Sequence, residues 1–189
     1  DPSFDRPDMN IVQIELPYAS DAIGKEYGPP ASAWALCAGL VDPKSRGEVT
    51  LGSADPLAAP LIDPNFFGEA ADLETMVAGF KTTRRLLETP ALRPLQKKDR
   101  FTEGVKTDED IRNVLRNRVD TVYHPVGTCK MGNDAMAVVD SKLKVHGMEG
   151  LRVVDASIMP TLIGGNTNAP TIMIGEKAAD TIKAEMRAN

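Results

Sequence analysis

Alternating apolar and polar residues predict strands in the first part of the chain. Residues 9–16 (MNIVQIEL) alternate roughly between the two classes and end at Pro17, which suits a half-buried strand. The apolar run 32–41 is bounded by prolines, and the turn DPKSRG separates it from the segment 47–53. We therefore expect these two segments to form strands that pair with each other in antiparallel fashion.

Three later stretches predict α-helices. Residues 72–88 carry an apolar stripe at helical spacing, with an acidic first turn and basic residues later, as the helix dipole favours. Residues 107–119 open with Thr107 three positions before Asp110, which approximates a capping box. Residues 169–187 predict a closing helix whose second residue is a proline, a residue that the first turn of a helix tolerates.

The remaining segments predict loops and short strands. Residues 17–31 are expected to form a loop, and residues 54–68 contain three prolines, which favour an extended loop. Residues 137–157 predict short strands joined by glycine turns, the last strand being Leu151–Val154. Strands and helices mix without strict βαβ alternation. The chain therefore predicts an α+β fold with a mainly antiparallel sheet and flanking helices.

Composition places the chain among ordinary globular proteins. Its 189 residues are 42% apolar and 26% charged, which suits one domain or slightly more. With 22 basic and 27 acidic residues, the net charge of -5 gives no field that would gather nucleic acid or an anionic membrane. No apolar run in the sequence approaches the roughly 20 residues that span a bilayer. Cys37 and Cys129 stand far apart, so we expect a reduced compartment and a cytoplasmic location, with a single disulfide between them as the alternative.

The stretch TVYHPVGTCKMG at residues 121–132 contains one of the two histidines in the chain. A metal site there would need further ligands, because no CxxC or HExxH pattern accompanies His124 and Cys129. A second interpretation is that His124 activates Cys129 as a nucleophile. A third is that His124 is a hydrogen-bonded structural residue. Cys129 and Met131 fit packing near the site, whereas His146 fits a surface turn. Taken alone, these residues do not decide between the three interpretations.

Two late motifs carry a family resemblance. Residues 123–132 (YHPVGTCKMG) and 151–180 (LRVVDASIMPTLIGGNTNAPTIMIGEKAAD), together with residues 45–67 (SRGEVTLGSADPLAAPLIDPNFF), closely resemble the C-terminal part of the glucose-methanol-choline (GMC) flavoprotein oxidoreductases. The likeness covers most of residues 32–185 and is most specific in the two late motifs. It implies the GMC substrate-binding domain, with a C-terminal strand and helix that belong to the FAD-binding domain.

The resemblance implies an enzyme that oxidises a small-molecule alcohol by passing a hydride to N5 of FAD, as a dehydrogenase or oxidase. By this likeness His124 is the base that acts on the substrate hydroxyl, and Asn168 is the residue that faces it. A neutral imidazole can accept the hydroxyl proton while the amide orients or stabilises the developing alkoxide. The alternatives are a hydroxynitrile lyase of this family, which keeps FAD without redox turnover, and a non-catalytic substrate-binding module.

The resemblance also implies a set of residues that contact the cofactor. The first amides of the closing helix can face the flavin N1/O2 edge, which becomes anionic on reduction. The expected FAD-binding residues are Asp155, Ala156, Asn166, Thr167, Asn168, Ala169 and Pro170. A well-capped helix and a turn at a strand end would explain the same residue types without a ligand. Gly164 and Gly165 either form turns in a loop or let the main chain approach the flavin ring.

Flavin enzymes of this family also need a GxGxxG turn after their first strand, and these 189 residues contain none. We therefore expect the C-terminal part of a longer enzyme, with the N-terminal FAD-binding half as its partner. Residues 1–135 are expected to form the substrate-binding domain, and residues 136–189 the segment that returns to complete the FAD-binding domain. The fragment alone is expected to be inactive and to bind FAD weakly or not at all.

Overall fold

Short strands and longer helices make up the fold, in a computed structural model that describes residues 6–16, 20–28 and 30–188. The strands and helices of these residues are, in chain order, β1 (Met9–Ile14), α1 (Asp21–Tyr27), β2 (Ala35–Leu40), β3 (Glu48–Thr50), β4 (Leu61–Asp63), α2 (Ala70–Leu87), α3 (Asp108–Arg118) and α4 (Asn168–Ala188). The helices predicted over 72–88, 107–119 and 169–187 are thus confirmed with shifts of one or two residues at their ends.

The chain divides into two compact units. The first unit comprises Asp1–Gly47 and Asp63–Val122, and the second comprises Glu48–Ile62 and Tyr123–Asn189. Each unit has its own cluster of buried apolar side chains. Each therefore holds its elements together by its own hydrophobic burial.

An antiparallel strand pair and the helices α1, α2 and α3 build the described part of the first unit. β1 and β2 pair in antiparallel register, with Met9 opposite Leu40 at one end of the ladder. α2 packs on β2 through Gly79, where an added Cβ would lie 2.2 Å from the Met9 sulfur and 3.2 Å from the Ala38 Cβ. A Cβ here would require the flexible Met9 side chain to move and would leave a tight contact with Ala38, so glycine lets the helix lie this close to the strands without either change.

The core of the first unit lies between α2 and α3. Its buried members are Leu73, Val77, Val105, Ile111 and Leu115. α3 begins with the predicted capping box, in which the Asp110 N–H donates to the Thr107 hydroxyl at 3.1 Å and the Thr107 N–H donates to the Asp110 carboxylate at 2.8 Å. The cap fixes the first turn of α3, and the spacing of Ile111 and Leu115 then directs both side chains to one face.

A buried carboxylate fixes the start of α2. Asp72, which is 3% exposed, lies in the first turn of α2, where negative charge is favoured. Its carboxylate accepts hydrogen bonds from the Lys44 N–H at 2.9 Å, the Ser45 N–H at 2.7 Å and the Ser45 hydroxyl at 2.5 Å. Burial by itself would raise the pKa of Asp72, but these hydrogen bonds outweigh burial and hold the pKa below its ordinary value of 3.8.

Residues 17–31 are not a loop throughout, because α1 occupies Asp21–Tyr27. Residues 17–19 and 29 lie outside the described part of the chain. The Ser20 hydroxyl accepts a hydrogen bond from the Ile23 N–H at 3.5 Å, and Gly28 follows the last turn with a φ of +70°. A serine cap and a left-handed glycine therefore enclose a helix of seven residues, too short to show a periodic apolar pattern.

The expected pairing of 32–41 with 47–53 is wrong. β2 pairs with β1 over six residue pairs, whereas β3 pairs with β4. β4 also lies inside the segment 54–68, which the sequence predicts to be a loop. Prolines precede and follow β4 without entering it, so its three residues keep the N–H groups that a ladder requires.

The second unit packs around Val139, which is 0% exposed. Ile158, Met159 and Ile174 complete its buried cluster. Ile174 comes from α4, while Ile158 and Met159 come from the segment that leads towards it. The cluster therefore fixes the closing helix to the loops that precede it.

Isolated bridges replace the short strands predicted over 137–157. The only pairings in this region of the described chain are single bridges, such as Val139 with Val145. Leu143, Gly147 and Gly150 have φ values between +62° and +74°, so the backbone reverses every few residues and no ladder can extend. The C-terminal strand predicted at Leu151–Val154 is reduced for the same reason to one bridge, between Lys144 and Arg152.

An ion-pair cluster holds α4 to these turns. The Glu185 carboxylate accepts hydrogen bonds from Lys144 Nζ at 3.0 Å and Arg152 Nη2 at 2.5 Å. The Lys144 ammonium and the Arg152 guanidinium hold the pKa of Glu185 below its ordinary value. The fold is thus α+β, with short antiparallel strands and four helices in the described residues. None of these described helices combines the length and apolarity that crossing a bilayer requires.

We expect replacement of Asp72 by Asn to lower the free energy of unfolding at pH 7 by about 2 kcal/mol, because three donors would lose their charged acceptor. The pKa of Asp72 is depressed in the folded state, so this stabilisation is present above pH about 4 and is lost as the pH falls through the folded-state pKa. Urea denaturation at several pH values measures both effects. The exposed Asp180→Asn is the matched control, and an equal loss in both variants would contradict the assignment.

Candidate active site

His124 lies in a loop with an unusual backbone on both sides of the imidazole. Tyr123 has a φ of +62° and Gly127 a φ of +90°, and Pro125 restricts the backbone between them. A positive φ is uncommon for a residue with a side chain, so Tyr123 adopts a strained conformation directly before His124. The loop presents His124 in a half-buried position.

Main-chain hydrogen bonds tie the histidine loop to the segment that precedes α4. The Cys129 N–H donates to the Ser157 carbonyl at 3.0 Å, and the Met131 N–H donates to the Ile158 carbonyl at 2.8 Å. Met131 also packs against the buried cluster around Val139, as the sequence predicts. The histidine loop and the approach to α4 are therefore held together by main-chain hydrogen bonds.

The His124 side chain meets the threonine that directly precedes α4. Its Nδ1 lies 2.9 Å from the Thr167 hydroxyl oxygen. Thr167 is 8% exposed, and its carbonyl accepts the Thr171 N–H at 3.0 Å and the Thr171 hydroxyl at 2.7 Å. Thr167 is thus fixed by the first turn of α4, and its hydroxyl fixes one nitrogen of the imidazole.

Pro170, three positions after Thr167, removes one competitor for the Thr167 hydroxyl. A threonine before a helix normally accepts the N–H of the second or third helical residue. The third helical residue here is Pro170, which has no N–H. This proline removes one of the two usual donors, and the hydroxyl pairs with His124 instead.

Asn168, the predicted partner of His124, is the first residue of α4 and is exposed. Among the described contacts, the hydrogen bond of the His124 ring goes to the neighbouring Thr167. The structure thus places His124 against the residue directly before Asn168, and the sequence does not identify Thr167 as the histidine's neighbour.

The residues around the start of α4 suit an anionic ring edge such as that of a flavin. Asn166, Asn168 and Ala169 are exposed, and the first N–H groups of a helix have no partner within the helix. A Cβ added at Gly164 or Gly165 would meet nothing within 4 Å, so the main chain there can be approached closely. These residues could hold FAD at this end of the helix.

Asp155 and Ala156 occupy a different kind of position. Asp155 directly precedes the 3₁₀ turn Ala156–Ile158, and its carboxylate accepts the Ser157 N–H at 2.7 Å. This is a local turn of the kind that the sequence offers as an alternative to a ligand contact. The Asp155 side chain remains exposed.

The other histidine lies outside this arrangement. His146 is exposed, as predicted, and its Nε2 lies 3.0 Å from the Gly132 carbonyl oxygen. Across residues 6–16, 20–28 and 30–188, no three His, Cys, Asp or Glu side chains group closely enough to hold a metal ion.

Residues 43–175 match the family model described as GMC oxidoreductase. The chain is 50% identical over 141 residues to an alcohol dehydrogenase (acceptor) of Pseudomonas putida, a match that covers 74% of this chain and 26% of that protein. It is 47% identical over 178 residues to an oxygen-dependent choline dehydrogenase of Escherichia coli O127:H6, with 93% of this chain and 31% of that protein covered.

Solved structures show the same likeness. The crystal structure of pyridoxine 4-oxidase from Mesorbium loti superposes with a TM-score of 0.83 at 29% identity, over 93% of this chain and 34% of that chain. A mutated formate oxidase of Aspergillus oryzae RIB40 superposes with a TM-score of 0.85 at 29% identity, over 97% of this chain and 33% of that chain. The chain thus spans between 26% and 35% of the length of its curated relatives.

We expect replacement of Gly127 by Ala to destabilise the histidine loop. An alanine at a φ of +90° is strained by about 1–2 kcal/mol, and its Cβ would lie 3.4 Å from the Met159 carbonyl oxygen. Urea denaturation measures the loss. Gly104→Ala is the control, because a Cβ there meets nothing within 4 Å. Equal midpoints for the two variants would show that the loop does not require the left-handed glycine.

Proposed function

The chain belongs to the GMC oxidoreductase family, and we propose that it supplies the catalytic base of an FAD-dependent alcohol dehydrogenase or oxidase. The contact between His124 Nδ1 and the Thr167 hydroxyl carries this proposal. Because Nδ1 is occupied, Nε2 is the nitrogen left for a substrate. The positions of both residues in the two family motifs support the same assignment.

In the proposed reaction, Nε2 of His124 accepts the proton of the substrate hydroxyl as the carbinol C–H bond breaks. The O–H bond is replaced by an N–H bond on the imidazole, and the alcohol becomes a carbonyl compound. When bound, FAD supplies the acceptor for the hydride at its N5 atom. The half-buried position of His124 limits the water that could compete for its nitrogen.

Asn168 and the start of α4 are proposed to act on developing negative charge. An exposed amide at the first helical position can donate to an alkoxide but cannot take its proton. We propose that Asn166, Thr167, Ala169 and Pro170 line the cofactor at the helix terminus, where the backbone N–H groups of the residues other than Pro170 favour an anion. Asp155 and Ala156 are proposed to contact FAD farther from the reacting ring.

The substrate is proposed to be a small alcohol. The P. putida and E. coli relatives are named for alcohol and choline, and both names describe an alcohol group. The rest of the site is proposed to come from an N-terminal FAD-binding half, since the relatives are about three times as long as the matched part. Residues 1–135 are proposed as substrate-binding domain and residues 136–189 as the segment that completes the FAD-binding domain.

In the full-length protein, His124→Ala should lower the rate of flavin reduction by about 10²-fold or more, because that is the usual effect of a positioned base. Stopped-flow bleaching of the flavin by an alcohol or choline measures the rate, and the flavin spectrum of the purified variant reports FAD retention. We expect FAD to remain bound, since His124 is assigned to the substrate.

His146→Ala is the matched control, because it removes the other histidine of the chain. We expect the flavin-reduction rate of this control to stay near that of the wild type. An unchanged rate in His124→Ala would assign the base elsewhere or support a non-catalytic module. Binding of FAD without bleaching by any alcohol would favour the hydroxynitrile lyase alternative.

The isolated 189-residue chain should not retain FAD, because it lacks the GxGxxG turn that cradles the pyrophosphate. Equilibrium dialysis against FAD measures this directly, with the full-length protein as the positive control. Retention by the isolated chain at micromolar FAD would contradict the proposed division of the cofactor site. The same chain should show no turnover of alcohol with an artificial electron acceptor.

A further inference from the structure

We infer that Thr167 is a positioning residue that selects the reactive tautomer of His124. The inference rests on the proposed function, in which His124 is the base. Thr167 does not touch the reacting atoms in this account. It acts through the ring nitrogen on the far side of the imidazole.

The chemistry of the imidazole requires a partner at this nitrogen. A neutral imidazole has one N–H and one bare nitrogen, so Nε2 can accept a proton only when Nδ1 carries the hydrogen. Thr167 Oγ1 lies 2.9 Å from Nδ1, which is within hydrogen-bond distance. A hydroxyl oxygen can accept this N–H and thereby favours the tautomer with a bare Nε2.

The contact between His124 Nδ1 and the Thr167 hydroxyl is also needed after proton transfer. Both nitrogens of the imidazolium are donors, so the Nδ1 hydrogen again needs an acceptor. The Thr167 hydroxyl can accept it without any change in the position of either residue. The site therefore needs no rearrangement on this side of the ring during the reaction.

The surroundings of Thr167 favour an acceptor role. Pro170 lacks the N–H that would otherwise occupy a lone pair of the hydroxyl. Thr167 is 8% exposed, so little solvent competes for its oxygen. Two hydrogen bonds from Thr171 to the Thr167 carbonyl keep the residue at the start of α4.

The test replaces Thr167 by Val, which keeps the shape but removes the hydroxyl. In the full-length, FAD-loaded protein the limiting rate of flavin reduction should fall by roughly tenfold, the upper end for one neutral hydrogen bond. KM for the alcohol should stay within about twofold, since no substrate contact is lost. Thr167→Ser should restore the rate to within about threefold of wild type.

Thr181→Val is the matched control. Thr181 also lies on α4, and its hydroxyl donates to the Lys177 carbonyl at 3.0 Å, far along the helix from His124. Its removal should leave both kinetic constants unchanged. An equal loss in Thr167→Val and Thr181→Val would mean that the effect is one of helix stability.

The tautomer itself is read from the ¹⁵N chemical shifts of the His124 ring in the wild-type protein, assigned by the signal absent from His124→Ala. We expect the hydrogen on Nδ1 when the ring is neutral. A hydrogen on Nε2 would overturn the inference, because the hydroxyl would then be the donor. This readout does not depend on the folding of any Thr167 variant.

The kinetic outcomes separate this inference from the proposed function. A large loss in His124→Ala with wild-type kinetics in Thr167→Val would overturn the role of Thr167 and leave the base in place. Wild-type kinetics in His124→Ala would remove the proposed function and the inference with it. Failure of Thr167→Ser to restore the rate would also overturn the inference, since Ser retains the hydroxyl.

Discussion

The arrangement of the candidate site depends on one contact, between the Nδ1 of His124 and the hydroxyl of Thr167. The two residues are 43 positions apart, and each belongs to a segment with hydrogen bonds of its own. Hydrogen bonds to Ser157 and Ile158 hold the histidine loop, while the first turn of α4 holds Thr167. The contact therefore joins two backbone segments that hydrogen bonds restrain, and it orients the imidazole.

The buried cluster around Val139 makes this contact possible. Ile158, Met159 and Ile174 pack on Val139, so the approach to α4 and the helix itself share one core with the histidine loop. The first residues of α4 remain exposed while Thr167 is buried. One helix terminus therefore offers both a buried hydroxyl and exposed N–H groups. The buried hydroxyl faces the imidazole, and the exposed N–H groups are left for an anion.

Local signals explain which parts of the fold the sequence predicts. Caps and apolar spacing lie within each helix, so α2, α3 and α4 are predicted with small errors at their ends. Strand pairing depends on distant residues, and a strand as short as β3 carries no period, so its partner β4 is missed. The positive φ of Leu143 has no signal in its residue type, and the strands expected beyond it do not form.

In the candidate site, too, local features can be predicted from the sequence, whereas contacts between distant residues cannot. The family motifs identify His124 and the loop before α4, but periodicity and spacing give no distance between them. Pro170 is the one local sign that a preceding threonine has a hydroxyl to spare, because it removes a capping donor. The proline therefore indicates that the Thr167 hydroxyl can accept a hydrogen bond, but it does not indicate which residue donates it. The partner becomes evident only from the folded chain, where His124 reaches Thr167.

The most direct measurement is a crystal structure of the full-length protein with FAD and an unreactive alcohol analogue bound. The account predicts that His124 Nδ1 stays on the Thr167 hydroxyl while Nε2 lies within about 3.2 Å of the analogue's hydroxyl oxygen, the reach of a general base. A structure in which Nε2 points away from the bound alcohol, or in which Nδ1 leaves Thr167 to contact it, would contradict the account.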